Sequence, residues 1–592
     1  MAVPGLQALV FLLGASAPVV ETGPAVFPGT AERRSAAAEV ALPSGPLPAA
    51  ARHVLSPLSP AERAALAKRD DRSSNLRRKV PAVRVGITRP LPGTVGFDSL
   101  PADLAAGVPR TVGGGLLQRS PDGRRIWTAA FSSPGAGALR LHLRDPRLPA
   151  GARVFVFSGS GEAHGPYTFD GGSRPEGFWS NTVFADEIFL QVVLPPSGGP
   201  ATLTVDALVH IEHPGFAPGA ATRTSPTLLP QSQTCFVDRS CVTPAEFPNI
   251  DSASRSAAQL TFVDDGDAFI CTGALLRTTT SSFVPYLLTS NHCFDNQPAA
   301  TSLEAIWDYR TAACDGPFPS PFLFPRTLGS TLLATGEPSD FTFVQLSQNP
   351  PAGSVFLGWT TADYSQAGGT ILYRLSHPDG GPQFFTRHEV STTPTPAECP
   401  DAPQGNFVYS KDLEGGTGFG SSGSPVYLED LRVVGQLLGS CGFNIEDDCD
   451  AVQNSTLDGA FHVTFPSVRA WLDPVGPCVP DATTLCLNGG RFRVGVTWTR
   501  TGGTSGPGMA VPLTADSGYF WFFNAANIEL VVKVLDACAI APGRFWVFAG
   551  GLTNVGVVLT VEDRQTGAVR TYTNSLGTPF APRQDTSAFV CP

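Results

Sequence analysis

The stretch GTGFGSSGSPVY, Gly416 to Tyr427, decides how this chain is read. Gly420 and Gly423 flank the pair Ser421–Ser422, and Pro425 opens an apolar, strand-like Val426–Tyr427. One reading is a loose linker. The other is a tight turn that exposes one hydroxyl to a carbonyl, with glycine wherever a side chain has no room. The second reading needs partners elsewhere in the chain, because a serine hydroxyl is a weak nucleophile until a base stands beside it.

Those partners lie upstream. YLLTSNHCF places His292 directly after an apolar run and directly before Cys293, and PSDFTFVQL places Asp340 at the head of another. An imidazole titrates near neutrality, so it can take the hydroxyl proton and return it to a leaving amine. A buried carboxylate holds the imidazole in the right tautomer and stabilises its cation. The order His292, Asp340, Ser422 makes Ser422 the nucleophile, since the pattern is Gly-x-Ser-Gly-x-Pro. The N–H groups of Gly420 and Ser422 are then the expected oxyanion hole. Each motif has a bland reading when taken alone: a packed histidine, a strand-initiating aspartate, a linker serine. Their order along the chain favours the catalytic one.

The remaining sequence bounds the architecture. The chain has 592 residues, more than one core accommodates. Charged residues make up only 15%, while 62 Gly and 55 Pro punctuate short apolar runs, a composition of strands and turns. A net charge of −11 with no basic stripe argues against nucleic-acid binding. Residues 1–17 end in Ala-Ser-Ala and read as a signal peptide. No apolar run is long enough to span a membrane comfortably. The even set of 12 Cys fits disulfides in a secreted protein. No C-x-x-C spacing suggests a metal, and no cofactor is expected.

The domain reading follows from composition. Residues 18–80 are an Ala/Pro/Arg-rich leader with one helix near SPAERAALAKR, capped by Ser59 with Pro60 in its first turn. Residues 81–215 alternate apolar and polar residues (ALRLHLRD, ARVFVFSG) and contain no Cys, which predicts a β-sandwich. A Pro/Ser/Thr-rich linker occupies 216–234. Eight Cys fall in 235–474, a region of short apolar strands with a helix at FPSVRAWLD. Residues 478–592 read as a second sandwich. Within it the aromatic run GYFWFF, 518–523, is better read as a packed strand than as a binding face. The acidic EDDCD at 446–450 reads as a solvated loop rather than a cation site, and His377 in LSHPDGG as a turn residue.

Residues 235–474 resemble the bacterial lysyl endopeptidase branch of the trypsin-like serine proteases. SDFTFVQL (339–346), GSSGSPVY (420–427) and VVGQLLGSC (433–441) carry the resemblance, together with IWDYRTAAC and FLGW. It implies a mainly β fold: a double six-stranded β-barrel protease domain flanked by the two β-sandwich domains. It also implies the disulfides Cys235–Cys441, Cys241–Cys314 and Cys271–Cys293. Cys399–Cys449 is left as an extra pair; in the last domain Cys478–Cys486 and Cys538–Cys591 are favoured. The family holds a substrate lysine with an Asp three residues before a Gly. Here that Gly aligns with Gly459 and the Asp position with Thr456, while a family His is replaced by Leu438. A pocket edged by Leu438, Gly439 and Thr456 suits a small or modest apolar side chain, with Asp458 as the nearby acidic group. By analogy 81–215 is a pro-domain that assists folding or blocks the cleft until cut within 216–234. The C-terminal domain is expected to bind a surface or polymer. The function implied is a secreted serine endopeptidase, made as a precursor and acting on proteins or peptides through an acyl-enzyme. The contrasting expectation is an inactive adhesion protein built on the same fold.

Overall fold

The computed structural model describes residues 19–591 except 30–39, 41–45, 68–77, 80–81, 102–107, 170–176, 197–198, 213–234, 281, 395–398, 400–401, 446, 475, 477 and 541–542. The 1–17 signal-peptide segment and the whole of the 216–234 linker lie outside the described residues. The chain forms two compact units. One runs to His462, apart from Thr278–Val284 and Leu333–Thr335; the other contains those two segments and Val463 onward.

Six antiparallel strands of the first unit close on themselves: Ile371–Ser376, Phe384–Val390, Phe407–Glu414, Asn454–Ala460, Arg432–Gly442 and Pro425–Tyr427. Closure leaves no free edge, which is how short strands from distant parts of a chain avoid stray pairing. A second, half-closed barrel is built from Ala257–Asp264, Asp267–Leu276, Tyr286–Ser290, Glu304–Trp307, Arg326–Leu328 and Phe341–Leu346. Its first hairpin is set locally. Asp264 pairs with Asp267, and the intervening Asp265 and Gly266 have φ of +48° and +82°, the Asp-Gly chemistry of a two-residue turn.

The sandwich expected at 81–215 is present. Two sheets enclose Trp127, Phe131, Leu139, Leu141, Leu143, Val156 and Leu190, the inward set of each alternating strand. Its sheet does not end at the sandwich. The 15-residue strand Val83–Phe97 pairs along Thr202–Ile211, and its first residues also pair with Asp267–Ile270 of the half-closed barrel. A polar seam lies nearby. Glu304 is fully buried and accepts from the Asn181 side chain at 2.6 Å and the Thr182 N–H at 2.9 Å. Arg326 reaches Glu304 and also Glu162 at 3.0 Å, while Arg140 donates to Ser302 O at 2.7 Å. Burial pushes the Glu304 carboxyl up, but Arg326 and Arg140 outweigh it and hold it below its ordinary value.

The leader is threaded over this unit. Glu21–Thr22 pairs with Trp359–Thr360, Ala25–Val26 with Val355–Phe356, and Arg78–Lys79 with Ser440–Cys441. The helix at Pro60–Ala67 has the expected cap: Ser59 N–H donates to Glu62 Oε2 at 2.7 Å, and Glu62 N–H to Ser59 Oγ at 3.2 Å. In the second unit two five-stranded sheets enclose Phe492, Phe520, Phe522, Val532 and Val547. Phe520 and Phe522 point inward as the alternation requires, and Phe523 is exposed.

Glu304→Gln takes the counter-charge from buried Arg140 and leaves Arg326 only its pairing with Glu162, and is expected to destabilise the first unit by about 3–5 kcal/mol, read as a lowered urea midpoint. His377 gives a second expectation. It is fully buried, donates from Nδ1 to Gly381 O (2.9 Å), stacks on Tyr309, and burial depresses it to about 4. The unfolded chain therefore binds a proton that the folded chain refuses between its ordinary value and about 4. Stability should fall by up to about 3 kcal/mol as pH drops through that window. His377→Asn should flatten this part of the stability–pH curve.

Candidate active site

Strand pairing brings His292 and Asp340 together. Tyr286–Ser290 runs antiparallel to Phe341–Leu346, with Ser290 opposite Phe341. The residues just beyond the first strand thus meet the residue just before the second, and Asn291 N–H donates to Asp340 O at 3.0 Å. Asp340 is left-handed (φ +50°) and 5% exposed. It grips His292 twice: Oδ1 accepts from the backbone N–H at 3.0 Å, and Oδ2 accepts from ring Nδ1 at 2.7 Å. With Nδ1 donating to a carboxylate, the basic lone pair lies on Nε2. That nitrogen is buried and makes no hydrogen bond, so no bond joins His292 to Ser422 in this structure.

Ser422 sits on the loop that the other strands hold in place. Thr272 N–H donates to Ser422 O at 2.8 Å, and Thr272 Oγ1 donates to Gly420 O at 2.9 Å. Ser290 Oγ, two residues before His292, donates to Leu437 O, which also accepts from Gly423 N–H. Glycine is required on both sides of the serine. Gly423 has φ +79°, and a Cβ there would lie 2.1 Å from Thr289 Oγ1; Gly420 has φ +86°, and a Cβ would lie 2.8 Å from His377 O. Phe419 O accepts from Asp379 N–H, and Ser421 O accepts from Ser424 N–H. In a trans peptide the N–H points away from the carbonyl, so the N–H groups of Gly420 and Ser422 are turned from these partners.

Beneath the loop lies a buried ionic network that sequence reading missed. Arg374 and Asp458 are fully buried and paired through Arg374 Nη2. Arg374 Nη1 donates to Ser424 O at 2.8 Å, and Nε donates to His388 Nε2 at 3.2 Å. His388 Nδ1 donates to Asp412 at 2.7 Å, and Thr456 Oγ1 donates to the same carboxylate at 2.7 Å. Only the pairing of Ile371–Ser376, Pro425–Tyr427 and Asn454–Ala460 through their sheet neighbours brings these residues together. Nothing local in the sequence marks them.

The expected pocket changes accordingly. Gly439 lines a cleft of about 20 Å³ beside Ser422, with Thr417, Phe419, Leu437, Ser440 and Asp448. Leu438 does not: a bulge between Leu437 and Gly439 turns it inward onto Cys399, Tyr409 and Leu457. Thr456 is bonded to Asp412, and Asp458 is committed to Arg374, so neither faces the cleft. Asp448 is its acidic group, in a loop whose register the sequence does not set.

Four of the six expected disulfides form: Cys241–Cys314, Cys271–Cys293, Cys478–Cys486 and Cys538–Cys591. The other two exchange partners. Cys235 joins Cys449, and Cys399 joins Cys441. The reason is side-chain direction. Cys441 points into the apolar cluster of Cys399, Tyr409 and Leu457, while Cys235 lies by Gly416 and the Asp448 carbonyl. The one candidate metal cluster among the described residues, Cys241, Cys314 and Asp315, has both thiols consumed by a disulfide.

Comparison with known proteins finds three kinds of likeness. A curated lysyl endopeptidase of Pseudomonas aeruginosa is 27% identical over 287 residues, 46% of this chain and 59% of the relative. The chain thus aligns with somewhat over half of that relative's length. Among solved structures, the protease Anisep from Arthrobacter nicotinovorans has a TM-score of 0.26 at 15% identity, covering 36% of this chain and 95% of its own. The thermostable serine protease AL20 from an extremophilic microorganism has a TM-score of 0.25 at 13% identity, covering 36% and 92%. The family described as the lysyl endopeptidase C-terminal domain matches this chain over residues 229–452, the segment that carries His292, Asp340 and Ser422.

Proposed function

We propose that the chain is a secreted serine endopeptidase, made as a precursor, that cleaves peptide bonds through an acyl-enzyme. The observation that carries this reading is the double grip of Asp340 on His292, at 3.0 and 2.7 Å, next to a serine loop that admits only glycine at positions 420 and 423. In the reaction His292 Nε2 takes the Ser422 proton as Oγ adds to the scissile carbonyl. Asp340 stabilises the imidazolium, and the Gly420 and Ser422 N–H groups receive the oxyanion. His292 then gives the proton to the leaving amine, and water reverses the sequence on the acyl-enzyme. Six disulfides among the described residues fit an exported protein.

Asp448 at the cleft supports a preference for a basic residue on the acyl side of the scissile bond. This replaces the small or apolar preference that Leu438 and Thr456 suggested. The named activity of the Pseudomonas relative points the same way. A cleft of about 20 Å³ must widen to take such a side chain.

Ser422→Ala in the processed enzyme is expected to lower kcat by a factor on the order of 10⁴–10⁶ and to abolish labelling by a fluorophosphonate. An unchanged rate would refute the assignment. Asp448→Asn should reduce kcat/KM for lysyl and arginyl substrates by about tenfold or more relative to alanyl ones, measured on a matched peptide series. Equal loss on all three would remove Asp448 from specificity.

A further inference from the structure

The two sheets of the second unit have unlike outer faces. The sheet that holds Phe492–Thr499 and Gly556–Asp563 turns Val494, Val496, Leu559 and Val561 into the core and Arg493, Thr497, Thr560 and Glu562 outward, the usual division of a solvated sheet. The sheet that holds Ser517–Trp521, Leu530–Ala537 and Arg544–Gly551 is apolar on both sides. Phe520, Val532, Phe545 and Val547 fill the core. The alternate residues Tyr519, Trp521, Val531, Leu535, Trp546 and Phe548 stand on the opposite face, half-buried or exposed. Its aromatic residues form two pairs. Tyr519 and Trp521 share one strand; Trp546 and Phe548 share the next strand but one, edge to face with ring centroids 6.3 Å apart. The register sets the pairs on a diagonal, since Tyr519 lies level with Val531 and Gly550, and Phe548 level with Lys533 and Ser517.

Three features of this face are unexplained by the fold. Gly550 lies inside a strand without a left-handed φ, and an added Cβ would meet nothing within 4 Å. Glycine weakens a strand interior, and where neither backbone nor packing demands it, it marks a close approach from outside. Glu529 is seated beside Trp521 at the head of the middle strand: its N–H donates to Phe520 O at 3.0 Å, and Leu552 N–H donates to its carbonyl at 2.8 Å. Its side chain is nearly fully buried. Oε1 accepts from Asn527 Nδ2 at 3.0 Å, but Oε2 is buried with no hydrogen-bond partner among the described residues. At the other end of the diagonal Trp546 Nε1 is likewise buried without a partner. Buried polar atoms are normally bonded, so this face lacks one donor and one acceptor. Leu535, level with Trp546, is six residues beyond Glu529, roughly 20 Å along the strand. We propose that the face binds a neutral, β-linked polysaccharide, whose rings lie on the two aromatic pairs and whose hydroxyls serve Glu529 and Trp546. The chemistry matches on each count. A sugar ring has an apolar C–H face, which a planar aromatic takes, and a rim of hydroxyls that both donate and accept. A wholly apolar partner would bury the two unpaired atoms without satisfying either. The distance between those atoms requires several rings of an extended chain, and β-linkage gives a flat ribbon that Gly550 leaves room for. Lys533, in the middle of the face, is already paired with Asp516 at 2.6 Å, so the ligand is uncharged. The proposal is independent of the protease reading.

The test measures retention of the full-length chain on microcrystalline cellulose and on chitin, with the anionic glycan alginate as contrast, and its mass in solution by light scattering. Four chains are compared: wild type, Trp521→Ala/Trp546→Ala, Glu529→Gln and Gly550→Leu. The wild type is expected to bind at least one of the two neutral polymers. The double variant should bind it about tenfold or more weakly, and Glu529→Gln, which replaces the unpaired acceptor by a donor, about threefold or more weakly. Gly550→Leu should lose binding while melting no lower than wild type, because its side chain enters open space. Retention on neither neutral polymer, or on alginate alone, overturns the proposal. So does retention that the double variant leaves unchanged. A wild-type dimer that the double variant splits, with no retention on either neutral polymer, gives the face to a second copy of the chain and overturns the glycan. If the double variant does not fold, Gly550→Leu decides between the same outcomes.

Discussion

The arrangement depends on one pairing, Tyr286–Ser290 against Phe341–Leu346. Neither His292 nor Asp340 belongs to these strands; each lies just past an end. The antiparallel register alone makes those ends coincide, and a one-residue slip would send every side chain of the strand to the opposite face. Burial of Leu287, Leu288, Phe343 and Val344 therefore sets the position of a polar pair to which none of them contributes an atom. Once His292 and Asp340 meet, the two hydrogen bonds and the left-handed turn at Asp340 follow from sub-ångström geometry rather than from further sequence choices.

The serine loop is held by a different kind of interaction. Arg374 and Asp458 are fully buried, and so costly to desolvate, yet Arg374 also satisfies Ser424 O and His388. Buried ion pairs are weak sources of net stability, and their use here is in fixing position. A guanidinium with planar, divergent donors can hold a loop carbonyl, a carboxylate and an imidazole at once. The same device recurs at the sandwich seam, where Arg326 and Arg140 face Glu304.

The leader shows how a segment of low complexity gains structure from context. Its composition predicts little beyond one capped helix, and that helix forms. The paired stretches at 21–22, 25–26 and 78–79 have no alternating pattern of their own. They are strands because backbone groups at 355–360 and at 440–441 offer hydrogen-bond partners to two residues at a time. Likewise, the long strand from Val83 joins sandwich and barrel in one continuous sheet, with Thr202–Ile211 along one side and Asp267–Ile270 along the other.

Much of this protein can be read along the chain, because the rules involved are local. Alternation marks the strands, Asp-Gly marks the hairpin at 265–266, Ser59 with Glu62 marks a helix start, and glycines at 420 and 423 mark a turn without room for side chains. The order of His292, Asp340 and Ser422 suggests the proposed chemistry through motifs of a few residues each. The tertiary structure alone decided the partners of Cys235 and Cys399, the inward turn of Leu438, the commitment of Asp458 to Arg374, and the arrival of Asp448 at the cleft. Each of these turns on which way a side chain faces after a bulge or a long loop. That direction is set by closure of the barrel as a whole, and no short window of sequence encodes it.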